Sequence, residues 1–209
     1  MRIVAAALLL LFASPVQAAL VTFAFEGTVY DVPGELAERF HSGDHVTGLL
    51  TFESETAQSS ELFPGSPRMG AYQGAVKSLS VRIGTYSGGN HSSHGTGIVV
   101  VTADQRRGDS FVVHSPFQGP NIGLFSSSFH PDSNTFTLEL EDPTASTLES
   151  DALPVTPPAR FSAYPGSSMR LFFSDGVRIR SIAMAVTKVR SDLASAMNEG
   201  ALSRRSSGR

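Results

Sequence analysis

Cysteine and tryptophan are both absent from the 209-residue chain, and charged residues make up only 17% of it. Without cysteine there is no disulfide framework and no thiolate. The small, disulfide-stapled secreted class and every thiolate metal or nucleophile site are therefore excluded. A fold built from this chain has to be held by its core or by bound ions. Charge of one sign is also scarce: 16 Lys and Arg stand against 19 Asp and Glu, a net charge of −3. That is the wrong sign for a nucleic-acid binder, and no nucleic-acid partner is expected. Beyond the first 18 residues there is no long hydrophobic run. The longest, Ile98-Val99-Val100-Val101, is strand-sized, so the mature chain is expected to carry no transmembrane segment. A Gly-x-Ser-x-Gly nucleophile elbow and a phosphate-cradling glycine loop are missing too. Leu153-Pro154-Val155-Thr156-Pro157 approaches a sortase signal, but Pro157 replaces the required glycine and the segment reads as an extended connection.

What is present begins with an export signal. Met1 and Arg2 form a minimal basic region, and Ile3 to Ala13 is apolar without a break. Ser14 and Pro15 end that run, and Val16-Gln17-Ala18 supplies a small residue at the cut. The apolar stretch is too short for a bilayer span, which needs roughly 20 residues. Residues 1–18 are thus expected to be a signal peptide. The protein is expected outside the cytoplasm, periplasmic or extracellular, and the lack of cysteine fits a bacterial envelope better than an animal secreted module. Loss of Arg2 with the leader takes the net charge to −4.

The remaining chain is long enough for one domain with a real core, and its dominant period is two. Val21, Phe23, Phe25 and Val29 alternate with Thr22, Ala24, Glu26 and Thr28, the mark of a half-buried strand. Similar strands are predicted over 46–52, 71–86, 98–102, 111–115, 136–141, 168–173 and 177–189. Ile98 to Thr102, a continuous apolar run, reads as a central strand covered on both faces. Residues 35–40 form a helical turn or a loop, His41-Ser42-Gly43-Asp44 is a turn, and Ser174-Asp175-Gly176 is a hairpin signal. The 19 glycines and 12 prolines punctuate these strands. The expectation is an all-β fold: a two-sheet antiparallel β-sandwich, jelly-roll-like, of eight or nine strands over residues 19–189. A basic tail over 190–209 is expected to be flexible or to form a short helix.

Several pieces, taken in order, resemble a family. They are Ala19-Leu20-Val21-Thr22-Phe23-Ala24-Phe25-Glu26-Gly27-Thr28-Val29, then Ser42-Gly43-Asp44-His45-Val46-Thr47-Gly48 leading into Leu50-Thr51-Phe52. Gly70-Ala71-Tyr72-Gln73-Gly74-Ala75-Val76 follows, and then the block from Leu140-Glu141-Asp142-Pro143 to Ser150-Asp151-Ala152-Leu153-Pro154. Together they resemble bacterial exported proteins of the PEP-CTERM-associated type. The resemblance implies a Gram-negative exported β-sandwich associated with extracellular polysaccharide or biofilm. This chain has the terminal arginines of that group but neither its Pro-Glu-Pro motif nor its apolar C-terminal helix, so sorting by that route is not implied.

Candidate site residues fall into three sets. Glu139 and Glu141 share one face of a strand. With Asp142 they offer hard oxygen ligands suited to calcium, or a carboxylate pair suited to glycoside hydrolysis. His91 and His94 stand three apart in a polar loop and could share a metal if His114 or Asp104 joined them; otherwise the chain has no call on a cofactor. His41, Asp44 and His45 cluster too, but turn chemistry accounts for them. For a sugar ligand, Tyr72, Tyr86 and Tyr164 are the available aromatic platforms, since most of the 14 Phe occupy core-facing positions. These readings favour a non-catalytic exported protein of the envelope or extracellular matrix, structural or adhesive in character. A carbohydrate-binding module is the alternative, and a polysaccharide hydrolase the second alternative.

Overall fold

The computed structural model describes residues 19–59, 68–90, 97–120, 134–158, 160–161, 166–174 and 178–191. The signal region, most of the basic tail, and His91, His94 and Tyr164 lie outside the described residues.

The alternating segments form nine strands: β1 Leu20–Asp31, β2 His45–Glu53, β3 Met69–Ile83, β4 Tyr86–Gly89, β5 Gly97–Asp104, β6 Gly108–Pro116, β7 Thr135–Asp142, β8 Ser168–Ser174 and β9 Ile179–Arg190. A 3-10 turn, η1, spans Gly34–Leu36 between β1 and β2. Every ladder is antiparallel, and the strands pair in the order β2-β1-β9-β8-β7-β6-β5-β3-β4. A further β2–β3 ladder, running from Val46↔Ile83 to Phe52↔Val76, joins the first strand of that order to the last but one. The sheet therefore closes on itself as an eight-stranded up-and-down barrel with one extra strand. The expected two-sheet sandwich is not what forms. A sandwich and a barrel demand the same in-out alternation, and they differ only in whether the outermost strands meet. Here β1 bridges β2 and β9, and no sheet edge is left between the first and last strands.

The extra strand has a definite place. β2 takes one edge of β3, so β4, which pairs with Ser80–Ile83, and β5, which pairs with Met69–Val76, share the other. They are two halves of one interrupted lane. Asn90 patches the break: its Oδ1 accepts from the Leu79 amide at 2.7 Å, and its Nδ2 donates to the Lys77 carbonyl at 3.4 Å. The carboxamide thus stands in for a missing peptide of the ladder.

Inward-facing positions are apolar and dominated by phenylalanine. Phe23, Phe52 and Phe111 meet edge-on and tilted in one half of the barrel, with centroids 5.5–6.4 Å apart. Phe25 stacks on Phe136 at 5.7 Å in the other. Small residues make room for these rings: a Cβ on Gly48 would lie 2.1 Å from the Phe25 ring directly across the ladder. An eight-stranded barrel has an interior just wide enough for side chains to fill, and here they fill it. The outward set includes Thr22, Glu26, Thr47, Lys77, Arg82 and Arg170, none of them buried. A membrane-spanning barrel carries its apolar band on that face instead. Among the described residues no helix is long and apolar enough to cross a membrane. Ile98 and Val100 belong to the outward set and are half-buried, so β5 is covered on one face rather than the expected two.

Both ends of the barrel are plugged. At one end the β1–β2 connection sends in Leu36 and Phe40, both fully buried. Gly43, with φ of +95°, closes that connection, and its amide donates to Val29 O at 2.8 Å. At the other end the β7–β8 connection contributes the buried Leu153 and Phe161, with Leu148 packed against the core.

Candidate functional site

The end plugged by the β7–β8 connection is organised by two acids. Asp109 and Asp142 are cross-strand partners on the inward face, and both are buried. Two like charges facing each other in a barrel mouth would be destabilising without donors, and the chain supplies them from residues 144–148. Asp142 Oδ1 accepts from the Thr144 amide and hydroxyl at 2.8 and 2.6 Å. Asp142 Oδ2 accepts from the Ser146 amide at 2.9 Å and from the hydroxyls of Ser146 and Thr147 at 3.1 and 2.7 Å. Asp109 Oδ2 accepts from the amides of Thr147 and Leu148 at 2.9 and 2.7 Å. Burial alone would raise the Asp142 carboxyl; the donors from Thr144, Thr147 and Ser146 together outweigh it and hold the group well below the usual carboxylate range.

This placement corrects the calcium grouping. Along a strand, Asp142 has opposite parity to Glu139 and Glu141. It points into the barrel with its oxygens engaged, whereas the two glutamates point out. The three carboxylates do not converge. Among the described residues no group of three or more His, Asp or Glu is placed to hold a metal ion. His114 and Asp104, the suggested partners of His91 and His94, are also apart. His114 pairs with Ile98 and its Nδ1 lies 3.1 Å from Thr137 Oγ1, while Asp104 caps the β5–β6 turn through the Arg106 amide at 2.9 Å. Six residues of ladder separate them, roughly 20 Å. The His41, Asp44 and His45 group behaves as turn chemistry predicts, with the His41 amide donating to Asp44 Oδ2 at 2.8 Å.

Two of the three proposed sugar platforms are core residues. Tyr72 is 6% exposed; it points inward and donates its hydroxyl to Asp151 O at 2.8 Å, pinning the β7–β8 connection beneath the barrel. Tyr86 is 8% exposed, within a cluster of Phe40, Phe117 and Phe173. Neither can present a ring face to a glycan. Tyr30, 54% exposed near the end of β1, is an aromatic that the sequence reading passed over. Its signal was parity: it falls in the same alternate set as Thr22, Ala24, Glu26 and Thr28, which faces outward.

The outward wall of β6, β7 and β8 holds the remaining candidates. Glu139 lies opposite Val112 on one side and Ser168 on the other, Glu141 lies opposite Ser110, and Thr137 lies between His114 and Arg170. The Glu141 amide is fixed by Ser167 Oγ at 3.0 Å. Partial burial, and then the nearby Glu139 carboxylate, raise the Glu141 carboxyl above its ordinary value. Chemically this wall offers a carboxylate pair, an imidazole, a guanidinium and hydroxyls on a rigid convex sheet. Such a set can hydrogen-bond a polyhydroxylated surface, but it does not enclose a substrate. No family model, no curated protein and no solved structure matches this chain.

Proposed function

We propose that the mature chain is an exported, non-catalytic protein of the bacterial envelope or extracellular matrix. It acts as a structural or adhesive module through its outer wall and associates with extracellular polysaccharide. One observation supports this reading more than any other: the barrel interior is occupied by aromatic side chains, both mouths are plugged and the buried Asp109 and Asp142 are engaged by the β7–β8 connection, so the outer wall of β6, β7 and β8 is where the described carboxylates, imidazole and guanidinium stand together on an open face. The leader-like residues 1–18 and the resemblance to PEP-CTERM-associated proteins point the same way.

The test uses the full chain expressed in a Gram-negative host, followed by fractionation and N-terminal sequencing. Purified protein is then co-sedimented with a panel of insoluble and gelled polysaccharides while reducing ends are measured. The expected result is a periplasmic or released chain beginning at Ala19 that co-sediments with at least one polysaccharide and releases no sugar. An intact Met1 on cytoplasmic protein overturns export. Sugar release that disappears in Glu139→Gln or Glu141→Gln overturns the non-catalytic reading in favour of a hydrolase. Failure to sediment with any member of the panel overturns the polysaccharide association.

A further inference from the structure

The barrel mouth closed by the β1–β2 connection has an unusual composition for a hydrophobic seal. Arg180 is the cross-strand partner of Phe173, so it belongs to the inward set at the rim. Its side chain is one-third exposed. Phe173, opposite Arg180 in the ladder, packs on Tyr86, which stacks on Phe117, and Phe40 comes in from the β1–β2 connection with its centroid 5.2 Å from Tyr86 and 5.7 Å from Phe173. Among the described residues the Tyr86 hydroxyl finds no hydrogen-bond partner, although it is buried. A Cβ added to Gly119 would lie 2.3 Å from that hydroxyl, so the Gly119 backbone packs closely against it. Burying a hydroxyl without a partner is costly, and native proteins rarely leave one so.

The segment that fills the mouth has a ligand's layout. Glu35 gives its carboxylate to the Arg180 guanidinium in a two-pronged pair: Nε donates to Oε2, and Nη2 donates to Oε1 at 3.0 Å. One residue later Leu36 enters the barrel, and Phe40 follows; both are fully buried. The plug is thus an anionic head on an apolar body, held by a rim cation and an aromatic sleeve. It leaves one polar atom of the sleeve, the Tyr86 hydroxyl, unused.

We infer that this mouth is a binding site for a single-chain anionic amphiphile, a fatty carboxylate, and that residues 34–40 occupy it as an internal pseudo-ligand. When the plug swings out, the incoming carboxylate takes the place of Glu35 on Arg180, and the acyl chain takes the place of Leu36 and Phe40. The Tyr86 hydroxyl is then free to donate to the ligand or to water. The motion is confined to residues 32–42, between Asp31, which pairs with β9, and Gly43 and Asp44, whose backbone brackets Val29. This site goes beyond the outer-wall function proposed above and does not rest on it.

The experiment titrates dodecanoate, kept below its micellar concentration, into the folded mature chain by calorimetry, with dodecanol as the uncharged control. Wild-type protein binds dodecanoate at one saturable site, and dodecanol at least ten-fold more weakly. Glu35→Gln, at an exposed position that leaves the core intact, removes the competing carboxylate and tightens binding by roughly two- to five-fold, the upper range expected for one exposed ion pair. Arg180→Gln weakens binding at least ten-fold, as loss of a two-pronged charged contact should. Circular dichroism establishes that each variant is folded. The inference is overturned if neither wild type nor Glu35→Gln shows saturable binding, if Glu35→Gln binds no more tightly than wild type, if Arg180→Gln binds as wild type does, or if dodecanol binds as well as dodecanoate.

Discussion

Replacing Asp142 by alanine removes the acceptor for five hydrogen bonds, from the amides of Thr144 and Ser146 and the hydroxyls of Thr144, Ser146 and Thr147. Asp142 is fully buried, but the turn that surrounds it is only partly so, and water can replace some of what is lost. At about 1 kcal/mol for each donor left without its ionised acceptor, and allowing for that partial rescue, the cost is roughly 3–5 kcal/mol. For a domain of this size each kcal/mol lowers Tm by about 2–4 °C, so the variant is expected to melt roughly 6–20 °C below wild type at neutral pH. The pH dependence gives an independent check. The folded carboxyl titrates below its unfolded value of about 4, so its stabilising effect is complete above that pH and is lost as pH falls through the folded value. The gap between wild type and Asp142→Ala should therefore narrow on acidification below pH ~4. A Tm difference under 2 °C at pH 7, or a gap that widens in acid, would refute the reasoning that this carboxylate organises the barrel end.

Other perturbations follow from the same geometry. Gly48→Ala places a Cβ against the Phe25 ring at 2.1 Å and should cost about 1–3 kcal/mol in urea unfolding; combining it with Phe25→Leu should recover part of that loss, and strict additivity would argue against the contact. Tyr86→Phe removes a buried hydroxyl that lacks a partner among the described residues and whose ionisation burial has pushed up to about 12; its stability should equal or exceed that of wild type by up to about 1 kcal/mol, and a clear loss would mean the hydroxyl is bonded. Glu141→Gln should raise Tm at pH 7, because a folded carboxyl pushed above its unfolded value disfavours folding once ionised. That gain should vanish as pH drops below the unfolded value, and a gain that persists in acid would point to another cause.

Strand positions were legible because each strand is covered on one side only. The alternation of Phe23 and Phe25 with Thr22, Ala24 and Glu26 reports which side chains leave water, and β1, β2, β6, β7 and β8 fall where that alternation places them. Two local signals were missed. The run Ile98 to Thr102 has the pattern of a strand covered on both faces, yet Ile98 and Val100 are half-buried on the outer wall; apolar content does not distinguish a half-covered β-branched residue from a core one. Residues 71–86 read as one strand, but the chain reverses at Gly84, and Tyr86 begins β4 on the opposite course. For the candidate site, the legible part was which residues carry charge. The illegible part was company: Glu139, Glu141 and Asp142 are neighbours in sequence, but strand parity sends the first two into solvent and the third into a plugged mouth.

By itself the sequence determined an all-β chain without disulfides, the inward and outward faces of its strands, and its turns, because these depend on residue spacing and local backbone preference. Only the tertiary structure decided that β2 meets β3 and β1 meets β9, closing a barrel where a sandwich was expected. The β1–β9 pairing joins edges far apart in the chain, and both architectures bury the same alternate residues, so periodicity cannot tell them apart. Tertiary contact also turned Tyr72 and Tyr86 from surface platforms into core residues. It gave Asp142 to a turn rather than to an ion, and it set Glu35 on Arg180, 145 positions away, at a mouth that no local pattern announces.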